Sequence, residues 1–181
     1  MARTPVPHAS GHRTTTAIYL VGSHTGHAVQ MAHSLLITMP SARVRIKHPQ
    51  ALYAALTGWL DAEKLAHDTF APGTAAHSAP PPTESETSVQ VQFHGPVPGP
   101  QVDTRPPAVS LSGAGEVRVQ VGPLSITTGD RPAFQDQLRL WTGAYRLGTT
   151  LWAELPAIEQ LPGLTTAGPQ PVRHLALAPA A

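Results

Sequence analysis

Residues 43–70 (RVRIKHPQALYAALTGWLDAEKLAHDTF) lie without gaps on residues 125–152 (SITTGDRPAFQDQLRLWTGAYRLGTTLW) of the same chain. Ala51/Ala133, Leu56/Leu138, Trp59/Trp141, Ala62/Ala144 and Leu65/Leu147 are identical, and Val44/Ile126, Leu52/Phe134, Lys64/Arg146 and Phe70/Trp152 are close exchanges. Only three tryptophans occur in 181 residues, and this alignment pairs two of them. A strand followed by a long helix is therefore expected twice. The expected fold is α+β: a single pseudo-duplicated domain with two long amphipathic helices packed on one mainly antiparallel sheet.

Local patterning fills in the two halves. Residues 14–21 (TTTAIYLV) are rich in β-branched and aromatic types and predict a strand. In residues 27–39 (HAVQMAHSLLITM), Ala28, Met31, Ala32, Leu35, Leu36 and Met39 fall at helical spacing. The repeat, extended backwards, sets Leu35, Ile37 and Met39 on the strand-like Val117, Val119 and Val121 instead. The residue types favour a helix here, ended by Pro40. Residues 43–47 predict a short strand, and Pro49 sits at the favoured first position of the helix after it. Val89, Val91 and Phe93 alternate with glutamines as in a half-buried strand. Residues 108–112 read as a short strand, and Gly122-Pro123 joins 116–121 to 124–128 as a hairpin. Asp130 is placed to cap the second helix, which runs to about Trp152. The expected core is Leu52, Leu56, Trp59 and Phe70 from the first helix, with Phe134, Leu138, Trp141, Tyr145 and Trp152 from the second.

Twenty Pro and fifteen Gly concentrate in a few stretches and set the expected boundaries. These are a polar tail at 1–13, a first strand/helix half at 14–70, a Pro-rich linker at 71–87, a second half at 88–152 and a mostly flexible tail at 153–181; residues 95–107 are a further Pro/Gly stretch. No cysteine is present, which excludes disulfides and thiolate metal sites. No apolar run approaches the roughly 20 residues of a membrane span, and no secretory leader pattern opens the chain. The expectation is a soluble, cytoplasmic protein without a membrane partner. A net charge of +1 gives no reason to expect nucleic acid.

The sharpest local string is Gly22-Ser23-His24-Thr25-Gly26-His27, after a strand and before the expected helix. Imidazoles and helix N-terminal N–H groups suit an anion. His24-Thr25-Gly26-His27 resembles the HxGH signature of the nucleotidylyltransferase superfamily. The resemblance implies that His24 and His27 contact nucleotide phosphates and that Gly26 lets the nucleotide approach the backbone. No second basic motif of that family follows downstream, and no Gly-Lys-Ser/Thr completes a phosphate loop. His24, His27 and His33 also have metal-ligand chemistry, but 27 and 33 do not share a helical face, so no metal site is expected. No Gly-x-Ser-x-Gly elbow is present. Asp61, Glu63, Lys64 and Asp68 form the wet face of the first helix, and Arg43, Arg45 and Lys47 alternate on a short strand.

With no catalytic constellation, the expected function is a small non-enzymatic binding or interaction protein. Its expected partner is another protein or a second copy of the chain, and Leu151 with Trp152 offers a seam for the latter. The alternative is a nucleotide-binding or nucleotidyl-transfer enzyme using His24, Gly26 and His27. No cofactor is singled out.

Overall fold

Residues 27–39 decide the architecture, and they are not helical. The computed structural model describes residues 15–70, 89–106 and 115–161, and within it this segment is two strands, β2 (His27–Met31) and β3 (Ser34–Met39). They follow β1 (Thr16–Leu20) and precede β4 (Ala42–Ile46) and α1 (Pro49–Thr69). The second half runs β5 (Val89–Phe93), β6 (Gln101–Arg105), β7 (Glu116–Val121), β8 (Leu124–Thr128) and α2 (Arg131–Leu151). Helix propensities of Ala, Met and Leu differ from those of strand formers by only tenths of a kcal/mol per residue. Burial of Leu35, Ile37 and Met39 on one face of a central strand outweighs them.

The strands form two sheets of four, ordered β1-β8-β7-β6 (sheet A) and β2-β3-β4-β5 (sheet B), not the single sheet expected. Both are mixed: β1 lies parallel to β8 and β4 parallel to β5, while the remaining pairs are antiparallel. Parallel neighbours need a long crossover, and α1 lies within the one between β4 and β5. Sheet A's parallel edge is supplied by β1, from the far end of the chain. The two parallel seams use matching hydrogen bonds. Lys47 N donates to Phe93 O and Gly129 N to Leu20 O, both at 2.9 Å, and Val89 N–Ser41 O (3.0 Å) is matched by Thr16 N–Pro123 O (2.7 Å).

Each sheet turns one face inward onto the helix pair. α1 packs on β6 and β7 of sheet A, α2 on β2 and β3 of sheet B, and the helices pack on each other. The N-terminal half of α1 is covered nearly all round, so its exposed stripe is confined to the second half. α2 keeps a wet side at Gln135, Arg139, Gly143, Arg146 and Thr150. Trp59 and Trp141 are each 1% exposed, and Leu52, Leu56, Phe70, Phe134 and Tyr145 join them in the core. Leu138 and Trp152, expected to be core, are only half-buried against it. Trp59 and Phe70 tilt against Phe134, with ring centroids 5.6 and 6.3 Å apart.

The caps follow the sequence. Asp130 Oδ1 accepts from Ala133 N at 2.9 Å, and His48 Nδ1 accepts from Gln50 N at 3.2 Å. Gly122 adopts φ +53 between β7 and β8, as the hairpin there requires. The Pro/Gly stretch 95–107 contains β6, and within residues 153–161 the chain is held at two points: Tyr145 Oη donates to Pro156 O at 2.9 Å and Leu161 is buried. Burial raises the Tyr145 phenol to about 12, with Tyr53 adding to the shift. The expected tail 1–13, linker 71–87, strand 108–112 and residues 162–181 lie outside the described residues.

Candidate functional site

The chain leaves β1 through Gly22, which has φ +73, and crosses to α2. Gly22 N donates to Asp130 Oδ2 at 2.7 Å, so one carboxylate holds both the loop and the first turn of α2. One helical turn on, Asp136 grips the next loop residues. Its Oδ2 accepts from Ser23 Oγ at 2.7 Å and from His24 N at 2.9 Å; its Oδ1 accepts from Arg139 Nη1 at 3.0 Å. Burial alone would push this carboxyl up. The Ser23 and His24 hydrogen bonds, with the Arg139 charge, outweigh it and hold Asp136 below the usual aspartate value of 3.8.

The ring of His24 is fixed from the core outward. Trp141 Nε1 donates to Gln137 Oε1 at 3.1 Å, which turns the Gln137 amide nitrogen toward His24 Nε2, 2.9 Å away. An amide nitrogen can only donate, so Nε2 accepts and the imidazole proton sits on Nδ1, 3.3 Å from Gly22 O. Both ring nitrogens are thereby engaged within the protein.

The residues singled out by sequence are thus brought beside α2 rather than to a helix N-terminus. The loop runs into β2, and the N-terminus of α2 is already capped by Asp130. His27 opens β2 and is exposed; Gly26 lies so close to α2 that a Cβ there would stand 2.6 Å from Leu140 Cδ2 and 3.1 Å from Thr38 O. Among the described residues, no three His, Asp or Glu side chains gather where a metal could be held, His33 included. Asp136, Gln137 and Arg139 escaped the sequence reading. The available signal was Gln137, a polar residue between Phe134 and Trp141 on the face of α2 that must be buried.

Between this loop and α2 lies a groove of about 360 Å³. His24, Thr25, Gly26, His27 and Ala28 line one side, and Asp136, Arg139, Leu140, Gly143, Ala144 and Leu147 the other. Gly143 is unusual: a glycine inside a helix costs about 1 kcal/mol relative to alanine, yet a Cβ there would meet nothing within 4 Å.

A second surface stands out on the outer face of sheet B. Strand alternation puts His27, Val29 and Met31 of β2, Leu36 and Thr38 of β3, Arg43 and Arg45 of β4 and Gln90 and Gln92 of β5 on this face, with Lys47 continuing it. Val29 is 48% and Met31 41% exposed. Among the described residues the face holds no carboxylate. Sheet A differs: Arg118 Nε donates to both oxygens of Asp103 at 3.1 Å, and Arg105 Nη1 lies 4.0 Å from Glu116 Oε2.

Comparison with protein-family models, with curated proteins and with solved structures finds no significant match to this chain. Among the described residues, no helix is long and apolar enough to cross a membrane.

Proposed function

We propose that this protein is a non-enzymatic binding protein that presents the outer face of sheet B to an acidic surface of a protein partner. The observation that carries this reading is the unbalanced charge of that face, where Arg43, Arg45 and Lys47 flank the exposed Val29 and Met31 with no carboxylate among them. Apolar side chains supply burial, and the arginines supply orientation and faster encounter. Two copies stacked face to face would set these cations against one another, so a different, acidic partner suits the face better than a second copy. Among the described residues, no Trp, Tyr or Phe side chain lies on it to stack bases, which disfavours single-stranded nucleic acid.

The test is fluorescence anisotropy with labelled polyglutamate. Binding is expected at low salt, to fall about tenfold in Arg43→Ala/Arg45→Ala and to vanish near 0.5 M salt. Equal binding by the variant, or tighter binding to duplex DNA than to polyglutamate, would defeat the proposal. Light scattering at two protein concentrations separates it from self-association, which would raise the mass with concentration.

The same proposal includes the origin of the scaffold. Among the described residues, four strands and a helix occur twice in chain order, and three elements coincide residue for residue in the ungapped alignment: 34–39 on 116–121, 42–46 on 124–128 and 49–69 on 131–151. A duplicated unit whose first strands are exchanged between the sheets accounts for this order and for the two parallel seams.

Nucleotide binding at His24, Gly26 and His27 is the second reading, favoured by His27 and Arg139 lining one groove. Against it stand the engaged His24 ring and the Asp136 carboxylate, which already accepts from the His24 amide. A thermal shift that grows with ATP concentration and is lost in His27→Ala would restore it.

A further inference from the structure

We infer that the groove between residues 24–28 and α2 is a binding site for a small organic acid carrying one negative charge and an apolar body. Three observations converge on it. The first is Gly143, in the interior of a 21-residue helix at a position where no protein atom would obstruct a side chain. Packing does not explain the glycine, but an open groove floor does, since any larger residue would project into the space that Gly143 leaves. The aligned position of α1 carries Asp61, so the helix pairing does not demand glycine there.

The second observation is the charge of the lining. Arg139 is held to Asp136 through one N–H, and its side chain is 72% exposed, leaving further N–H groups to meet an anion. Asp136 keeps the net charge of the pair near zero, which suits a single carboxylate or sulfonate and repels a polyphosphate. Its own oxygens are taken by Ser23, the His24 amide and Arg139. The third is polarity along the groove. Thr25 and Arg139 are polar lining residues with free capacity, while Ala28, Leu140, Ala144 and Leu147 offer apolar walls for the body of the ligand.

The probe is 8-anilinonaphthalene-1-sulfonate, an aromatic monoanion whose fluorescence rises on leaving water. Saturable binding to one site is expected on the full chain. Gly143→Leu should weaken it at least tenfold without lowering the melting temperature, because the new side chain meets no protein atom and leucine favours helix. Arg139→Gln should weaken it several-fold and remove its salt dependence. Excess ATP should fail to displace the probe. Saturable binding that Gly143→Leu leaves unchanged places the probe elsewhere and overturns the inference, as does absence of saturable binding. Displacement by ATP would overturn the preference for a single charge. None of these outcomes depends on Arg43 or Arg45, so failure here and failure of the sheet-face reading are distinguishable.

Discussion

The loops that follow β1 and β5 close against the helices in opposite ways. Residues 21–26 lie on α2 and bring Gly26 against Leu140; residues 94–100 lie on α1 and bring Pro100 against Gly58, where a Cβ would stand 2.8 Å from the Pro100 ring. The alignment sets Leu140 on Gly58, so the bulk sits on the helix at one joint and on the loop at the other. It also sets Asp136 and Gln137 on Ala54 and Ala55, both buried. Around α1, this joint closes with alanine, glycine and proline. The Ser23–His24–Asp136–Gln137 network is therefore not something the architecture requires, and that makes the α2 side the place to look for a ligand.

The tryptophans give the largest test of this comparison. Trp59→Ala and Trp141→Ala should each cost about 3–5 kcal/mol in urea unfolding. Trp141→Ala should exceed Trp59→Ala by about 1 kcal/mol or more, because it strands the buried Gln137 oxygen. Equal losses would mean that the polar network contributes nothing at its root.

The exchanged bulk comes next. Gly58→Leu should cost about 1–3 kcal/mol by driving side-chain atoms into Pro100 and Val119. Gly26→Ala should be destabilising in the native chain but less so when Leu140 is alanine, with a coupling of about 1 kcal/mol in a double-mutant cycle. Additive effects would show that the loop and α2 do not bear on each other as described. Among the caps, Asp130→Ala should cost about 2 kcal/mol, since it frees both the helix amide and Gly22, whereas His48→Ala loses a single exposed contact and should cost less than 1 kcal/mol. Similar losses in thermal melts would remove the loop-holding role of Asp130.

The second half was the more legible in sequence, because its signals were local and agreed. Strict alternation in 116–121, Gly122-Pro123, Asp130 and a spaced aromatic stripe gave β7, β8 and α2 nearly to the residue. The first half misled where two periods overlapped. Residues 27–39 satisfy helical spacing, and only the alignment with β7 pointed to strand; it was the better guide, since pairing partners, which propensity ignores, decide a central strand. β6 was missed because a five-residue edge strand flanked by proline carries little pattern. The site was half visible. The loop showed its His24 and His27, but Asp136 and Gln137 lie more than a hundred residues away, and no spacing rule links them. Division into two sheets was equally invisible, because it depends on which edge β1 and β5 join.

A pH-dependent effect separates a carboxylate clasp from mere proximity. Asp136 is held below the usual aspartate value in the folded chain, so its contribution is present above that value and disappears as pH falls through the lower, folded one. Asp136→Asn should therefore be less stable than the native chain at pH 7 by about 1 kcal/mol, the scale of charge-assisted hydrogen bonds partly retained by an amide oxygen. The gap should narrow as pH drops below about 4 and close once the pH lies below the lowered folded value, where the native carboxyl is itself protonated. Ala54, the aligned residue in α1, offers the control: Ala54→Ser should show no comparable pH dependence. Urea unfolding at pH 7, 5 and 3 reads all three chains, and a gap that stays constant across this range would mean that Asp136 does not hold the loop through its charge.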